Sequence, residues 1–349
     1  MSKAKTHLPE FIKDESELEE ILSRPSSGLI QMMKRLDGDL IFLGASGKIG
    51  PDLAHTAIRA VKEAQVKKKI FGVDLFQDKE SMTALDHLDM ELIKCDLLEP
   101  DDVARLPRVK NVIYLAGKKF GTKGSEEMTW SINVIPPANT ARHFSGSRIV
   151  AFSTGCVYPL VDNINGGCTE ESPCGPVGEY AQSCLGRERI FGSYSKTNKT
   201  PVSLIRLSYA VDLRYGVLHD IGKLVMEEKP IDLKMSYFNT IWQGDVNIQT
   251  LLMLEHCASP PSVWNITRPE IVSTRFVAEE YAKIMGKKAI FTGKEGHKYY
   301  LSDTSKAVRT FGIPSISLDT LIRWQAYWLL SGRHSLNKPT HFEENEGDF

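Results

Sequence analysis

The amino-acid sequence predicts an α/β protein built on a doubly wound parallel sheet. Three observations carry the prediction. Short apolar runs alternate with amphipathic stretches, the first run ends in a glycine-rich turn, and the second ends in a carboxylate. The first run is Leu40–Leu43, followed by Gly44, Gly47 and Gly50 with Ser46, Lys48 and Ile49 between them. A helix is expected next, with Leu53, Ala57, Ile58, Val61 and Ala64 on one face. Strand, glycine turn and helix together offer free backbone N–H groups and a positive helix end to a phosphate. Gly44 permits the tight turn, Gly47 lets backbone approach a pyrophosphate, and Gly50 lets the helix pack closely on the strand.

Taken in order, residues 1–37 read as an extension of two short helices, near 16–22 and 28–36, in which Leu29, Ile30, Met33 and Leu36 would cover the sheet edge. Ile70–Asp74 is the second strand. Asp74 lies 24 residues past Gly50, the spacing at which a carboxylate meets an adenosine ribose. Its charge would accept the ribose hydroxyls and repel a 2′-phosphate, which favours NAD over NADP, although the Lys48 cation speaks for NADP. Residues 92–96 and 112–117 are the third and fourth strands, and place Asp96, Leu97, Leu115, Ala116 and Gly117 where a cofactor would pass. Between Glu126 and Arg142 a helix must break or restart at Pro136 and Pro137, with Asn133 just before the break. A fifth strand, 148–152, runs into Ser153–Tyr158. Toward the end, Ser317 caps a helix whose Leu321, Trp324 and Trp328 belong to the core.

Composition narrows the function classes. In 349 residues, 25% are charged and the net charge is −1, so nothing points to nucleic acid or a membrane surface. No apolar run reaches the roughly 18 residues of a spanning helix, and a soluble cytoplasmic protein is expected. Six cysteines without a C-x-x-C pair argue against a disulfide scaffold, and nine histidines without ligand spacing argue against a metal.

In this order the motifs resemble an extended short-chain dehydrogenase/reductase of the NAD-dependent epimerase/dehydratase family, over roughly residues 38–332. The resemblance rests on Gly44, Gly47, Gly50, Asp74, Asp96, Leu115-Ala116, Asn133 and Ser153-Thr154 with Val157-Tyr158. Further along it rests on Tyr180, Ser183, Glu188, Arg206, Asp245 and Asn265. It implies a Rossmann domain at 38–207 to which 237–258 return, and a substrate-binding α/β subdomain from 208–236 and 259–333. Residues 334–349 are polar and acidic and are expected to be disordered. It also implies an enzyme in which Tyr180 moves a proton, Thr154 orients the substrate, and a homodimer forms.

Two departures stand out. Position 184, which the resemblance assigns to a lysine that lowers the tyrosine pKa, is Cys184. An ammonium about 5 Å from a phenolate at an effective dielectric near 20 would stabilise it by roughly 3 kcal/mol, so Tyr180 is expected to be a poorer base unless another cation serves. Lys118 and Lys119 are the candidates, and a buried, inert thiol is expected at Cys184. The second departure is Phe238, seven residues before Asp245, where nucleotide-sugar members carry a diphosphate-binding arginine. A free sugar or sugar acid therefore fits better, with Lys118, Cys156 and Arg214 as substrate contacts, although Arg214 is also a candidate for gripping a diphosphate from another loop. The leading expectation is NAD-dependent hydride transfer on such a substrate. The alternatives are a degraded site acting as a sensor or partner subunit, and a nucleotide-sugar epimerase or dehydratase.

Overall fold

Every residue of β1 (Leu40–Leu43) is buried, with side chains alternating between two apolar layers, Leu40 and Phe42 into one and Ile41 and Leu43 into the other. That is the pattern of a central strand covered on both faces. In this computed structural model, which describes residues 8–77, 79–338 and 340–347, β1 sits inside a seven-stranded sheet. The other strands are β2 (Ile70–Asp74), β3 (Glu91–Lys94), β4 (Asn111–Tyr114), β5 (Arg148–Thr154), β6 (Val202–Leu207) and β7 (Ser262–Ile266). Their order is β7-β6-β5-β4-β1-β2-β3, and each neighbouring pair is parallel. The chain changes direction across the sheet between β1 and β4, so the crevice at their C-terminal ends is where such a fold takes its ligands.

There are twelve α-helices among the described residues. They are α1 (Glu15–Leu22), α2 (Ser27–Arg35), α3 (Gly50–Ala64), α4 (Lys79–Asp86), α5 (Pro100–Ala104) and α6 (Glu126–His143), then α7 (Gly178–Asn198), α8 (Val217–Met226), α9 (Gln243–Leu252), α10 (Thr274–Met285), α11 (Ser305–Phe311) and α12 (Leu318–Leu330). On α3, Leu53, Ala57, Val61 and Ala64 are buried as the periodicity predicts, and Ile58 is half-buried. The Ser317 hydroxyl accepts from Thr320 N–H at 3.2 Å to start α12, whose Trp324 and Trp328 are fully buried in a second core with α8 and α10.

Several expectations are corrected. The extension covers helices rather than the sheet edge: Leu29, Met32, Met33 and Leu36 share a core with α3 and α9, while Leu18 and Leu22 of α1 join the second core. Segment 262–266, expected in the substrate subdomain, is β7 of the main sheet. The strands expected at 92–96 and 112–117 end at Lys94 and Tyr114, although Leu115 and Ala116 N–H still bond Leu43 O at 2.8 and 3.1 Å.

Helix α6 runs straight through Pro136 and Pro137 as an 18-residue helix. Proline removes one i→i−4 bond, and here the carbonyl left by Pro137, that of Asn133, accepts instead from Arg187 Nε at 3.5 Å.

The C-terminal segment is also ordered where it is described. Thr340 N–H and Oγ1 donate to Asp220 Oδ2 at 2.8 and 2.6 Å, Phe342 is buried in the second core, and Lys234 pairs with Glu346 at 2.8 Å. Polar composition hid these anchors. Residues 348 and 349 lie outside the described residues.

Candidate active site

The glycine turn is built for close approach. Gly44 has φ +84°, and a Cβ there would lie 2.6 Å from Ala116 N, so β1 and the loop after β4 touch backbone to backbone. At Gly50 an added Cβ would lie 2.0 Å from Ala45 O, which seats the N-terminus of α3 directly on the turn. Asp74, at the end of β2, accepts from Ser46 N–H at 2.9 Å and from Leu75 N–H at 2.8 Å. A carboxylate has about four acceptor positions, so capacity for hydroxyls remains. Asp96 lies beyond β3, where its Oδ1 accepts from Leu98 N–H at 2.9 Å, and Leu97 is buried among the residues beneath that loop.

A cavity of about 320 Å³ opens at the strand ends. Of the residues expected at a cofactor, Gly44, Gly47, Lys48, Ile49, Gly50, Leu115 and Gly117 line it, and Thr154, Cys156 and Tyr180 line it as well. Thr154 closes β5, and its Oγ1 accepts from Cys156 N–H at 3.1 Å and pairs with the Tyr180 phenol. Tyr180 lies in the first turn of α7, with Cys184 one turn on, hydrogen-bonded to it and fully buried. Burial pushes the Cys184 thiol up to about 11, against the pull of Arg187, so it stays protonated and inert at neutral pH. Burial likewise holds the Tyr180 phenol well above its ordinary value, helped by the two thiols and opposed by Arg187 and Thr154.

Other predicted residues take different places. Arg214 is absent from the cavity wall: its guanidinium pairs with Asp212 at 3.2 Å and Asp52 at 3.4 Å, and two carboxylates leave it no role in gripping a diphosphate. Phe238 is buried in the second core. Asn133, expected to bind cofactor, is fully buried. Its amide donates to Lys118 O and Ser183 Oγ, and its Oδ1 accepts from Lys118 N–H and Arg187, so all four positions are taken by protein. Lys118 lines the cavity but its Nζ donates to Ser125 Oγ at 2.6 Å. Lys48 turns toward the segment after β6, with Nζ 3.6 Å over the Tyr215 ring, rather than toward Asp74. Burial brings its ammonium down to about 8, opposed by Asp212 and Asp52.

Lys119 does line the cavity, near Cys156, and burial lowers its pKa. Tyr215 lines it too, and sequence reasoning missed Arg187, Tyr209, Tyr300 and Thr340, which are also in its wall. Only Arg187 carried a signal: it lies seven residues after Tyr180, on the same helical face.

Fold and site together define a dinucleotide-binding protein of the short-chain dehydrogenase type. Residues 40–211 match the model of the NAD dependent epimerase/dehydratase family. No curated protein matches it by sequence. Among solved structures it resembles UDP-glucuronic acid 4-epimerase from Bacillus cereus, described in complex with UDP-glucuronic acid and NAD, at 20% identity over 84% of this chain and 99% of that chain with a TM-score of 0.70. UDP-glucose 4-epimerase from Thermotoga maritima gives 15% identity, the same coverages and a TM-score of 0.70. Pal from Bacillus thuringiensis gives 19%, 84% and 100% coverage, and 0.69. At these identities the likeness is one of fold. Among the described residues no helix is long and apolar enough to cross a membrane.

Proposed function

We propose that the chain is an NAD-dependent oxidoreductase or epimerase acting on a small carbohydrate-like substrate, with a sugar acid favoured. One observation carries this reading: the Thr154 hydroxyl and Tyr180 phenol meet across a cavity whose other wall is the glycine turn. Gly44 and Gly50 hold the turn tightly against Ala116 and Ala45, the exposed Gly47 between them suits a pyrophosphate, and Asp74 suits the adenosine ribose. When bound, NAD supplies the hydride acceptor. Tyr180, as phenolate, takes the proton of a substrate hydroxyl while Thr154 holds the same oxygen. Lys119 offers a cation to a substrate carboxylate. The cavity is at the low end of ligand-pocket sizes, Phe238 stands where a diphosphate-binding arginine is expected, and Arg214, the candidate to replace it, is paired with Asp212 and Asp52. Both points favour a small substrate over a nucleotide sugar. Names of similar structures favour the latter, so UDP-glucuronic acid belongs in the substrate panel.

The test has two parts. Protein purified and denatured is assayed for released NAD, and absorbance at 340 nm is followed with sugars, sugar acids and UDP-sugars. NAD binding with no substrate turned over would favour a sensor or partner subunit. Asp74→Ala is expected to weaken NAD binding by about 10–100-fold, the worth of charge-assisted bonds to ribose hydroxyls, while NADP binding falls less. Calorimetry with both dinucleotides measures it.

A homodimer is proposed as well. Met128 and Ile135, two turns apart on α6, are 53% and 45% exposed, and light scattering should give twice the chain mass, reduced to one by Met128→Glu with Ile135→Glu. Six free cysteines suit a reducing, cytoplasmic setting.

A further inference from the structure

Arg187 is a buried cation in the cavity wall. It is 5% exposed, and among the described residues no carboxylate lies within ion-pair distance of it. Glu188 next to it is taken by Arg206 at 2.8 Å. Three features of the surroundings fit the guanidinium. Gly117 leaves room for it, since a Cβ there would lie 2.2 Å from its NH2 nitrogen. Pro137 frees the Asn133 carbonyl, which accepts from Nε at 3.5 Å, and Asn133 Oδ1 accepts from NH2 at 2.6 Å. Phe152 O, at the end of β5, accepts from NH1 at 2.9 Å. These three bonds use three of five N–H donors, and all the acceptors are neutral. A buried cation with no ion pair of its own is costly, and since Glu188 is already paired with Arg206, an anion formed in the site would find Arg187 uncommitted to any carboxylate.

We propose that Arg187 is the positioning residue that supplies the positive charge stabilising the Tyr180 phenolate. This rests on the reading of Tyr180 as the acid/base. Arg187 follows Tyr180 by two turns on the inner face of α7, and helical side chains lean toward the N-terminus, so the guanidinium reaches back along the cavity wall that both residues line. The groups facing Tyr180 are Thr154 and Cys156 at the end of β5, Cys184 on α7, and Arg187. Those facing Arg187 are Tyr114 of β4, whose ring centroid is 5.8 Å from it, Cys184, Tyr180 and Glu188. Both thiols oppose phenolate formation, and Arg187 is the cation that acts against them from within the same helix. Lys119 stands instead toward Cys156 and the C-terminal segment, with Nζ 3.5 Å from Thr340 O.

The test uses the full chain without added cofactor, with 3-fluorotyrosine placed at position 180 so that ionisation is followed by fluorine NMR while the protein stays folded. Arg187→Met is expected to raise the apparent pKa by about one unit or more, and Arg187→Lys to restore most of it. Asn133→Asp keeps the guanidinium but neutralises it, and should shift the pKa in the same direction; it decides the matter if Arg187→Met does not fold. An unchanged pKa in the folded variants would overturn the proposal, as would a shift produced by Lys119→Met and not by Arg187→Met. Failure of the wild-type protein to bind NAD in calorimetry would instead count against the dehydrogenase reading, so the two failures are separable.

Discussion

Tyr180→Phe is expected to lower turnover by about 10²–10⁴-fold, the usual worth of a positioned acid or base, with NAD affinity nearly unchanged. The substitution removes only the phenolic oxygen, leaving the ring beside Cys184 and the Thr154 hydroxyl on Cys156 N–H. Loss of turnover with retained binding would therefore isolate proton transfer. The pH dependence has a definite sign. Burial holds the phenol well above its ordinary value, so at neutral pH the phenolate is the minor form. Oxidation of a hydroxyl should accelerate with rising pH, close to tenfold per unit below the phenol pKa, and the Phe variant should lose that limb. Initial rates at 340 nm across the pH range in which the fold is intact provide the measurement. Undiminished turnover in the Phe variant would remove Tyr180 from the chemistry.

The parts of this site legible in the sequence are those set by local backbone demands. Gly44 and Gly50 answer to clashes within a few residues or one strand away, and Asp74 ends a strand whose apolar run is continuous. What escaped reading depends on partners distant in sequence. Pro136 and Pro137 announce a helix break, but the carbonyl released by Pro137 is met by Arg187, 50 residues beyond it, and α6 continues. Arg214 reads as an available cation until Asp52, from the other side of the glycine turn, is brought beside it. There burial lifts the Asp52 carboxyl to about 6 against the pull of Arg214, a balance that no spacing rule contains. Thr340 sits in a polar stretch that composition assigns to disorder, and its two bonds to Asp220 depend on where α8 lies.

Glu188→Ala should destabilise the fold by about 3–5 kcal/mol, the range for breaking a buried ion pair from one side. Arg206 Nε and NH2 reach the two Glu188 oxygens at 3.0 and 2.8 Å, a bidentate pairing with both side chains at 6% exposure or less. Ser153 Oγ adds a 2.6 Å bond to the same carboxylate, and Arg206 NH1 donates to the Tyr158 hydroxyl at 2.8 Å. The network thus ties α7 to β5 and β6 immediately beside Thr154. Removing Glu188 leaves a buried guanidinium uncompensated. Glu188→Leu combined with Arg206→Met should recover much of the loss, because desolvation of two charges offsets most of their attraction. Urea denaturation of the single and double variants separates the two effects. If the double variant regains stability but not turnover, the ion pair serves to fix α7 at the register that brings Tyr180 to Thr154. A hydrophobic pair can hold the helix against the sheet, but it lacks the directional bonds that set its position along the strands.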